Sequence, residues 1–151
     1  MNSVIIPNNW KPRPYQLPFF IYFAGGGKRA VLEWSRRHGK DDACLHLTAI
    51  ELLHRVGTYW YMLPQYGQAR KAIWDAVDAH SGVRRIDWAF PKEIRKSTNE
   101  SEMKIVFRNG SVWQVCGSDN YDALVGSTPA GISFSEYALS DPNSWDYLKP
   151  I

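Results

Sequence analysis

The stretch WSRRHGKD, residues 34–41, ends in a glycine and a lysine suited to phosphate binding, followed by an aspartate. A loop between a strand and a helix directs backbone N–H groups and the positive end of the helix dipole at one spot. Gly39 lets the backbone turn tightly, and Lys40 brings a mobile cation to the β and γ phosphates of a nucleotide. The usual pattern has glycine at the position of Trp34 and serine or threonine at that of Asp41. The Gly39-Lys40 pair therefore predicts either a nucleotide-binding loop or a helix start with solvated basic residues.

A second polar stretch, GISFSEY at residues 131–137, places Ser135 and Glu136 at the end of an apolar run. In nucleotide hydrolases an aspartate at such a strand end orders magnesium, and the glutamate after it activates the attacking water. Here the loop has an aspartate in place of a hydroxyl, and the strand end has a hydroxyl in place of an aspartate. We therefore hypothesise that Asp41 and Ser135 exchange roles around Mg²⁺. The alternative is that Asp41 is an acidic first-turn residue favoured by the helix dipole and that Ser135 is structural.

The composition favours one small domain that neither spans a membrane nor depends on disulfides. The 151 residues are 44% hydrophobic and carry a formal charge of +3, which permits contact with phosphates or nucleic acid without requiring it. Cys44 and Cys116 lack the spacing of zinc or redox pairs, so we expect two reduced, buried thiols. No apolar run reaches the length of a membrane span, and the N-terminal residues do not resemble a signal peptide. We therefore expect a soluble, cytosolic protein.

Hydrophobic periodicity predicts alternating strands and helices along the chain. Asn109 and Gly110 lie between two β-rich runs, over residues 104–108 and 111–117, and this pair is a strong signal for a β-hairpin. Because strands alternating with helices form parallel sheets, we predict an α/β fold with a mainly parallel sheet, flanked by helices, with ligands beyond the carboxyl ends of its strands. The predicted helices span residues 14–23, 40–56 and 67–79, and the other predicted strands span residues 30–35, 58–64 and 130–134.

The order of these motifs resembles the ATPase region of the large terminase subunit, the motor that pumps DNA into the capsids of tailed bacteriophages. WKPRPYQ, residues 10–16, is similar to the adenine-side motif of that family, WSRRHGKD to its Walker A loop, and ISFSEYAL, residues 132–139, to its Walker B strand. Residues 61–75 resemble the strand and helix that follow the Walker A loop in that family, and residues 107–126 resemble the hairpin and loop that precede its Walker B strand. The resemblance implies a P-loop NTPase fold of the ASCE, RecA-like type, with ATP and Mg²⁺ as cofactors.

The resemblance assigns roles to individual residues of these motifs. It implies that Gln16 contacts adenine, that Arg36 senses the phosphates, that Lys40 binds them, and that Glu136 is the catalytic base. Arg36 could equally belong to a solvated basic edge, and Gln16 could equally bond only to local backbone. The implied catalytic residues are Glu136, Lys40 and Arg36, whereas Asp41 and Ser135 are metal ligands only by the hypothesis of their reciprocal exchange. The implied nucleotide-binding residues are Gln16, Ser35, Arg36, Arg37, His38, Gly39, Lys40 and Asp41.

The family's arginine finger, a basic residue that serves the neighbouring subunit, has no counterpart in its usual place. That residue precedes the glycine of the ALVG loop, where this chain has uncharged side chains, so the finger is unassigned. The positions before the glycine are Ala123, Leu124 and Val125, and the alternative fingers are Arg84, Arg85 and Arg95.

The resemblance also implies partners and a location. It implies double-stranded DNA held through its phosphates, a portal protein, a small terminase subunit, and a homo-oligomeric ring on the procapsid in the host bacterial cytoplasm, with no membrane. We expect residues 1–151 to form a partial P-loop ATPase domain, without the later sheet strands or the nuclease domain. Two other interpretations stay open, a catalytically inert terminase fragment and a helicase-like ATPase, although FSEYA lacks the acidic pair typical of helicases.

Overall fold

The computed structural model describes residues 10–148, which form one five-stranded sheet with helices on both faces. The strands are β1 (Thr58–Leu63), β2 (Arg95–Asn99), β3 (Lys104–Phe107), β4 (Val112–Gly117) and β5 (Gly131–Phe134). The helices are α1 (Leu17–Ala24), α2 (Lys40–His54), α3 (Tyr66–Ala69), α4 (Arg85–Ala89) and α5 (Pro142–Leu148). A π-helical turn, Arg70–Trp74, continues α3, and 3₁₀ turns occupy Pro14–Gln16, Lys92–Ile94, Ser118–Leu124 and Tyr137–Leu139.

The sheet has the strand order β2-β3-β4-β1-β5. β1 is parallel to both of its neighbours, β4 and β5, whereas β2, β3 and β4 pair in antiparallel fashion. The predicted hairpin is confirmed, and Gly110 in its turn has a φ of 94°. The α/β class is also confirmed, but the sheet is mixed and not mainly parallel, because the hairpin and β2 add an antiparallel half.

Alternate side chains of β1 enter two cores on opposite faces of the sheet. Tyr59, Tyr61 and Leu63 pack in a large cluster with residues of α2, α3 and α4. Trp60 and Met62 pack in a smaller cluster that α5 covers. This alternation follows from the two-residue period of a strand, whose successive side chains point to opposite faces. All five of these side chains are buried, and β1 lies in the interior of the sheet, between β4 and β5.

Trp113 of β4 lies at the centre of the larger core. Its side chain is 0% exposed, and its ring centroid is 4.8 Å from that of Phe90 and 6.2 Å from that of Trp74. Each buried aromatic side chain removes roughly 150–250 Å² of surface from water. This aromatic cluster therefore supplies much of the hydrophobic stabilisation of the sheet.

The predicted strand over residues 30–35 is wrong, because residues 28–35 form no regular element. Val31, which a buried strand would cover, is 87% exposed. A short apolar run forms a buried strand only where a neighbouring strand pairs its N–H and C=O groups. Within residues 10–148 no strand pairs with this run. The apolar composition was therefore an insufficient signal on its own.

Two predicted helices are shorter than their apolar pattern suggested. α2 begins at its predicted first residue but ends at His54 instead of residue 56, because Arg55 is extended with a φ of −128°. The helix predicted for residues 67–79 becomes α3 and its π-helical turn, which ends at Trp74. Beyond that turn, Val77 pairs with Arg84 in an isolated β-bridge. The other predicted helix, residues 14–23, appears as a 3₁₀ turn followed by α1.

Three elements were not predicted, and β2 is the clearest example. It reads RKSTN, with no alternation of apolar and polar residues. Its first residue, Arg95, is only 8% exposed, and its guanidinium donates to Phe90 O at 2.7 Å, to Ile86 O at 3.0 Å and to Asp87 Oδ1 at 2.8 Å. A buried arginine thus replaces the apolar pattern that would have marked the strand. The other two elements, α4 and α5, are too short to show a helical period.

Both predicted free thiols are present. Cys44 and Cys116 form no disulfide, and Cys116 is buried as expected, whereas Cys44, also expected to be buried, is half-buried. Burial raises the pKa of each thiol to about 12. Within residues 10–148 no helix is both long enough and apolar enough to cross a bilayer.

Candidate active site

The loop before α2 turns through left-handed backbone conformations. Gly39 has a φ of 73°, Arg37 has a φ of 65°, and the N–H of His38 donates to Ser35 O at 3.3 Å. A side chain in that conformation costs roughly 1–2 kcal/mol, so glycine is favoured at residue 39. A Cβ atom there would also lie 3.0 Å from Nε2 of Gln16. No side chain caps α2, which leaves its first backbone N–H groups available to a ligand.

Gln16 supports this loop from the N-terminal side. It is 2% exposed, its Nε2 donates to His38 O at 3.1 Å and to Gly39 O at 3.4 Å, and its Oε1 accepts from Arg13 N at 2.9 Å. Tyr15, which the sequence did not single out, donates its hydroxyl to the same His38 O at 2.8 Å. The oxygen and the nitrogen of the Gln16 amide therefore both form hydrogen bonds with the backbone, which is the alternative that the sequence left open. Contact between Gln16 and adenine stays a prediction.

The basic residues of the loop differ in how they are held. Lys40 is half-buried, and its Nζ donates to Trp34 O at 2.6 Å, so the ammonium lies over the loop. Ser35, Arg36 and Arg37 are exposed, and His38 is exposed with Nδ1 3.1 Å from the carbonyl oxygen of Arg36. The structure thus places the predicted lysine at the loop and leaves the two arginine side chains on its solvent side.

Asp41 and Ser135 are in direct contact although they lie 94 positions apart in the chain. Ser135 Oγ donates to Asp41 Oδ1 at 3.1 Å. Asp41 lies in the first turn of α2, and Ser135 follows β5, where its N–H donates to Met62 O of β1 at 2.8 Å. The two residues that the sequence paired by their reciprocal exchange are therefore neighbours in space, while their role as metal ligands stays a prediction.

Tyr61 completes this cluster and was missed by the sequence reasoning. It lies on β1 with 1% of its surface exposed, and its hydroxyl donates to the same oxygen of Asp41. Burial, followed by the negative charge of Asp41, raises the pKa of the Tyr61 hydroxyl well above its ordinary value, so it stays protonated as a donor. The available signal was its position near the carboxyl end of a parallel strand, where ligand sites gather.

Glu136, the predicted base, follows Ser135 on the solvent side of the cluster. It is exposed and has a φ of 53° and a ψ of 47°. Within residues 10–148 three residues other than glycine have positive φ, and two of them, Arg37 and Glu136, lie at this site. Such conformations cost roughly 1–3 kcal/mol each and occur preferentially at functional sites. Backbone strain is therefore concentrated on the two segments that meet here.

Asp41 and Ser135 together offer a donor set that fits Mg²⁺. They are too few for a metal ion that is coordinated by protein side chains alone. Within residues 10–148 no group of three or more His, Cys, Asp and Glu side chains is placed to hold a metal ion. Mg²⁺ needs fewer protein ligands, because it keeps several waters and binds one or two carboxylates together with substrate phosphates. One carboxylate and one hydroxyl within 3.1 Å of each other meet that requirement.

A separate polar group lies further along α2. Asp42 Oδ1 is 3.4 Å from Arg85 Nε, and burial raises the pKa of Asp42 although Arg85 opposes the shift. His46 stacks on Trp10 with ring centroids 4.1 Å apart, and burial lowers its pKa to about 4. The cavity between these side chains has a volume of about 20 Å³, which is too small for a nucleotide base.

The three arginines considered as fingers all have partners within the chain. Arg84 Nε is 3.0 Å from Asp87 Oδ2, Arg85 pairs with Asp42, and the guanidinium of Arg95 is enclosed in the core. Burial would raise the pKa of Asp87, but hydrogen bonds from Arg84 and Arg95 outweigh it and lower the pKa. Arg95 cannot extend to another chain from this position. The structure therefore gives these arginines structural roles and does not identify a finger.

Comparisons with protein families, with curated proteins and with solved structures found no match to this chain.

Proposed function

We propose that this chain is the nucleotide-binding part of an ATP-driven DNA-packaging motor of the large terminase type. ATP and Mg²⁺ would bind where α2 begins and β5 ends, in a P-loop fold of the ASCE, RecA-like type. The motor would act on double-stranded DNA through its phosphates, since a translocase must be indifferent to sequence. Its partners would be a portal protein, a small terminase subunit and further copies of the chain in a ring on the procapsid.

The hydrogen bond between Asp41 and Ser135 carries the proposal. The sequence predicted a shared role for these residues because each stands where the other type is usual, and the two side chains lie 3.1 Å apart. Their neighbours in the chain are Lys40 and Glu136, so one contact brings four predicted site residues to the same edge of the sheet. A structural hydrogen bond alone would not require that each residue type stand where the other is usual.

The proposed chemistry assigns one task to each of these groups. Lys40 has three donors on its ammonium, so it can bind a phosphate beside the Trp34 carbonyl that it already contacts. Asp41 and Ser135 would hold Mg²⁺, which supplies positive charge to the β and γ phosphates. Glu136, exposed on the solvent side, would accept the proton of the attacking water. Binding of the phosphates at the loop would bring the nucleotide within reach of all four residues.

Calorimetric titration with Mg·ATP tests this assignment. We expect the wild-type chain to bind one nucleotide, Lys40→Ala to weaken binding at least about 10-fold, and Asp41→Ala to remove the magnesium dependence of binding. A 10-fold change corresponds to about 1.4 kcal/mol, a modest value for a charged contact with phosphate. Lys28→Ala is the matched control, because Lys28 is an exposed lysine outside the loop.

The proposal fails if the wild-type chain has the circular dichroism of a folded α/β protein and binds no nucleotide. It fails equally if Lys40→Ala and Lys28→Ala bind with the same affinity as the wild type. Hydrolysis is then measured with Glu136→Gln, which we expect to bind Mg·ATP normally and to turn it over at least about 100-fold more slowly, the usual contribution of a general base.

One observation favours a second candidate function, nucleotide binding without turnover. The loop that precedes Lys40 is not anchored by a strand, because residues 28–35 are irregular. A catalytic lysine on such a loop would be less well placed for a transition state than for ground-state binding. Stoichiometric binding with no magnesium-dependent hydrolysis in any variant would favour this inert form over the motor subunit.

A further inference from the structure

Tyr61 joins β1, an interior strand of the sheet, to the candidate metal ligands. Its backbone pairs with Val115 on one side and with Ser133 on the other, so neighbouring strands hold it in register. The side chain is 1% exposed, and its hydroxyl donates to Asp41 Oδ1. A tyrosine hydroxyl buried in this way needs a hydrogen-bond partner, and here the partner is the side chain of a predicted metal ligand.

The hydrogen bonds to Asp41 fix the direction of its carboxylate. Both side-chain donors described in residues 10–148, the hydroxyls of Tyr61 and Ser135, end on the same oxygen, Oδ1. The second oxygen, Oδ2, accepts neither of them. A carboxylate held through one oxygen presents the other in a defined direction, which is how hydrogen-bonded groups around a metal site orient its ligands.

Tyr59 provides an internal reference for this contact. It lies on the same strand and the same face of the sheet as Tyr61, and it is also buried. Its hydroxyl donates to α2 as well, but to the backbone, at 2.7 Å from Arg55 O and 3.2 Å from Glu51 O. The two tyrosines therefore join β1 to opposite ends of the same helix, and only Tyr61 contacts a side chain of the candidate site.

We infer that Tyr61 is a positioning residue, whose hydroxyl orients the Asp41 carboxylate for the magnesium ion of the nucleotide site. This inference rests on the proposed function. It adds a residue outside the sequence motifs, on a strand that contributes no ligand itself. A purely structural role would require only that the hydroxyl find an acceptor, and Tyr59 meets that need with backbone carbonyl groups.

The test is a titration with Mn²⁺, a paramagnetic substitute for Mg²⁺, followed by electron paramagnetic resonance in the presence of saturating ATP. We expect Tyr61→Phe to weaken Mn²⁺ binding by roughly 10- to 100-fold, the effect usual for the loss of a group that supports a metal ligand. Metal-free ATP affinity should stay within about 2-fold of the wild type, because Lys40 and the loop are unchanged. Tyr59→Phe should leave both affinities at the wild-type value.

Making Tyr61→Phe in a second protein, the Asp41→Asn variant, distinguishes a loss of carboxylate orientation from a general loosening of the fold. In Asp41→Asn no anionic ligand remains to be oriented, so adding Tyr61→Phe should not weaken Mn²⁺ binding further. The inference would be overturned if Tyr61→Phe weakened Mn²⁺ binding equally in the wild type and in Asp41→Asn, if Tyr59→Phe weakened it as much as Tyr61→Phe, or if Tyr61→Phe did not weaken it. In each of these cases ATP binding by the wild type would still uphold the proposed function. If the folded wild type binds neither ATP nor Mn²⁺, the proposed function and this inference both fail.

Discussion

The interior strand β1 and the helix α1 are composed of similar residues but differ in burial. β1 reads TYWYML and has five of its six residues buried, whereas α1 reads LPFFIYFA and has none. β1 lies between two layers of helices, while α1 contacts mainly aromatic rings of its own segment, including a 5.7 Å contact between Phe20 and Trp10. Apolar composition therefore does not decide burial; position between two layers does.

The candidate site lies at the border between these two regions. The loop is tied to the N-terminal side through Gln16 and Tyr15, and the start of α2 is tied to the sheet through Asp41, Tyr61 and Ser135. One side of the site thus depends on a well-packed core and the other on a thinly covered segment. We expect substitutions on the two sides to differ in cost.

The largest effect should come from Trp113→Ala in the core. We expect it to lower the free energy of unfolding by about 3–5 kcal/mol, because it removes a fully buried indole and leaves a cavity. Trp113→Phe should cost much less, since the indole Nε1 is buried without a hydrogen-bond partner and its removal leaves no group unsatisfied. Urea unfolding measures both, and equal losses in the two variants would contradict this account of the core.

The next effect is pH-dependent and involves His46, where the N-terminal segment contacts α2 through Trp10. The folded pKa of about 4 lies below the ordinary 6.5, so the neutral ring is favoured and stability should fall as the pH drops from about 6.5 to about 4. A shift of that size corresponds to about 3 kcal/mol. His46→Gln should flatten this part of the profile, measured as the free energy of unfolding between pH 7 and pH 4. Parallel profiles for the two proteins would show that His46 does not titrate as described.

Gly39→Ala tests the coupling of the loop to the N-terminal segment. We expect a loss of about 1–2 kcal/mol, because alanine is strained at a φ of 73° and its Cβ would lie 3.0 Å from Gln16 Nε2. Gly67→Ala is the control, since no atom lies within 4 Å of a Cβ there and the residue is helical. That change should stabilise the protein by about 0.5 kcal/mol. Thermal melting measures both variants. A shift of the two Tm values in the same direction would contradict the described loop geometry.

The smallest effect should come from Ile21→Ala on α1. Ile21 is 66% exposed, so the substitution should change the free energy of unfolding by less than about 0.5 kcal/mol. The comparison between β1 and α1 depends directly on this result. A loss of 2 kcal/mol or more in urea unfolding would mean that α1 is covered, and that the two regions are equally buried.

The elements that could be predicted from the sequence are those with strong local signals. The Asn109-Gly110 turn, the short β-rich run of β1 and the long apolar stripe of α2 each carried the necessary information. β2 could not be predicted, since its buried Arg95 depends on Asp87 and on carbonyl groups of another element. The strand expected over residues 30–35 failed for the opposite reason, because its local pattern was favourable and a partner strand was missing from the described sheet.

The candidate site was predictable in part. Asp41 and Ser135 could be paired from the sequence because each has the residue type expected at the other, and they are indeed in contact. Tyr61 could not be assigned, since a tyrosine in a buried strand is usually a core residue, and only the position of α2 shows where its hydroxyl points. Gln16 was singled out for adenine, but its amide is bonded to the loop backbone, a detail that depends on the left-handed turn.

The contact between Asp41 and Ser135 joins two residues that are synthesised at different times. Ser135 is added 94 residues after Asp41, which at roughly 5–20 residues per second takes roughly 5–20 seconds. During that interval α2 can form, but its first turn lacks the hydroxyl that it finally contacts. The loop and the strand end can meet only after β5 has joined β1, the last pairing in chain order. A chain arrested before Ser135 would thus contain the whole loop proposed to bind phosphate and still have no assembled candidate site.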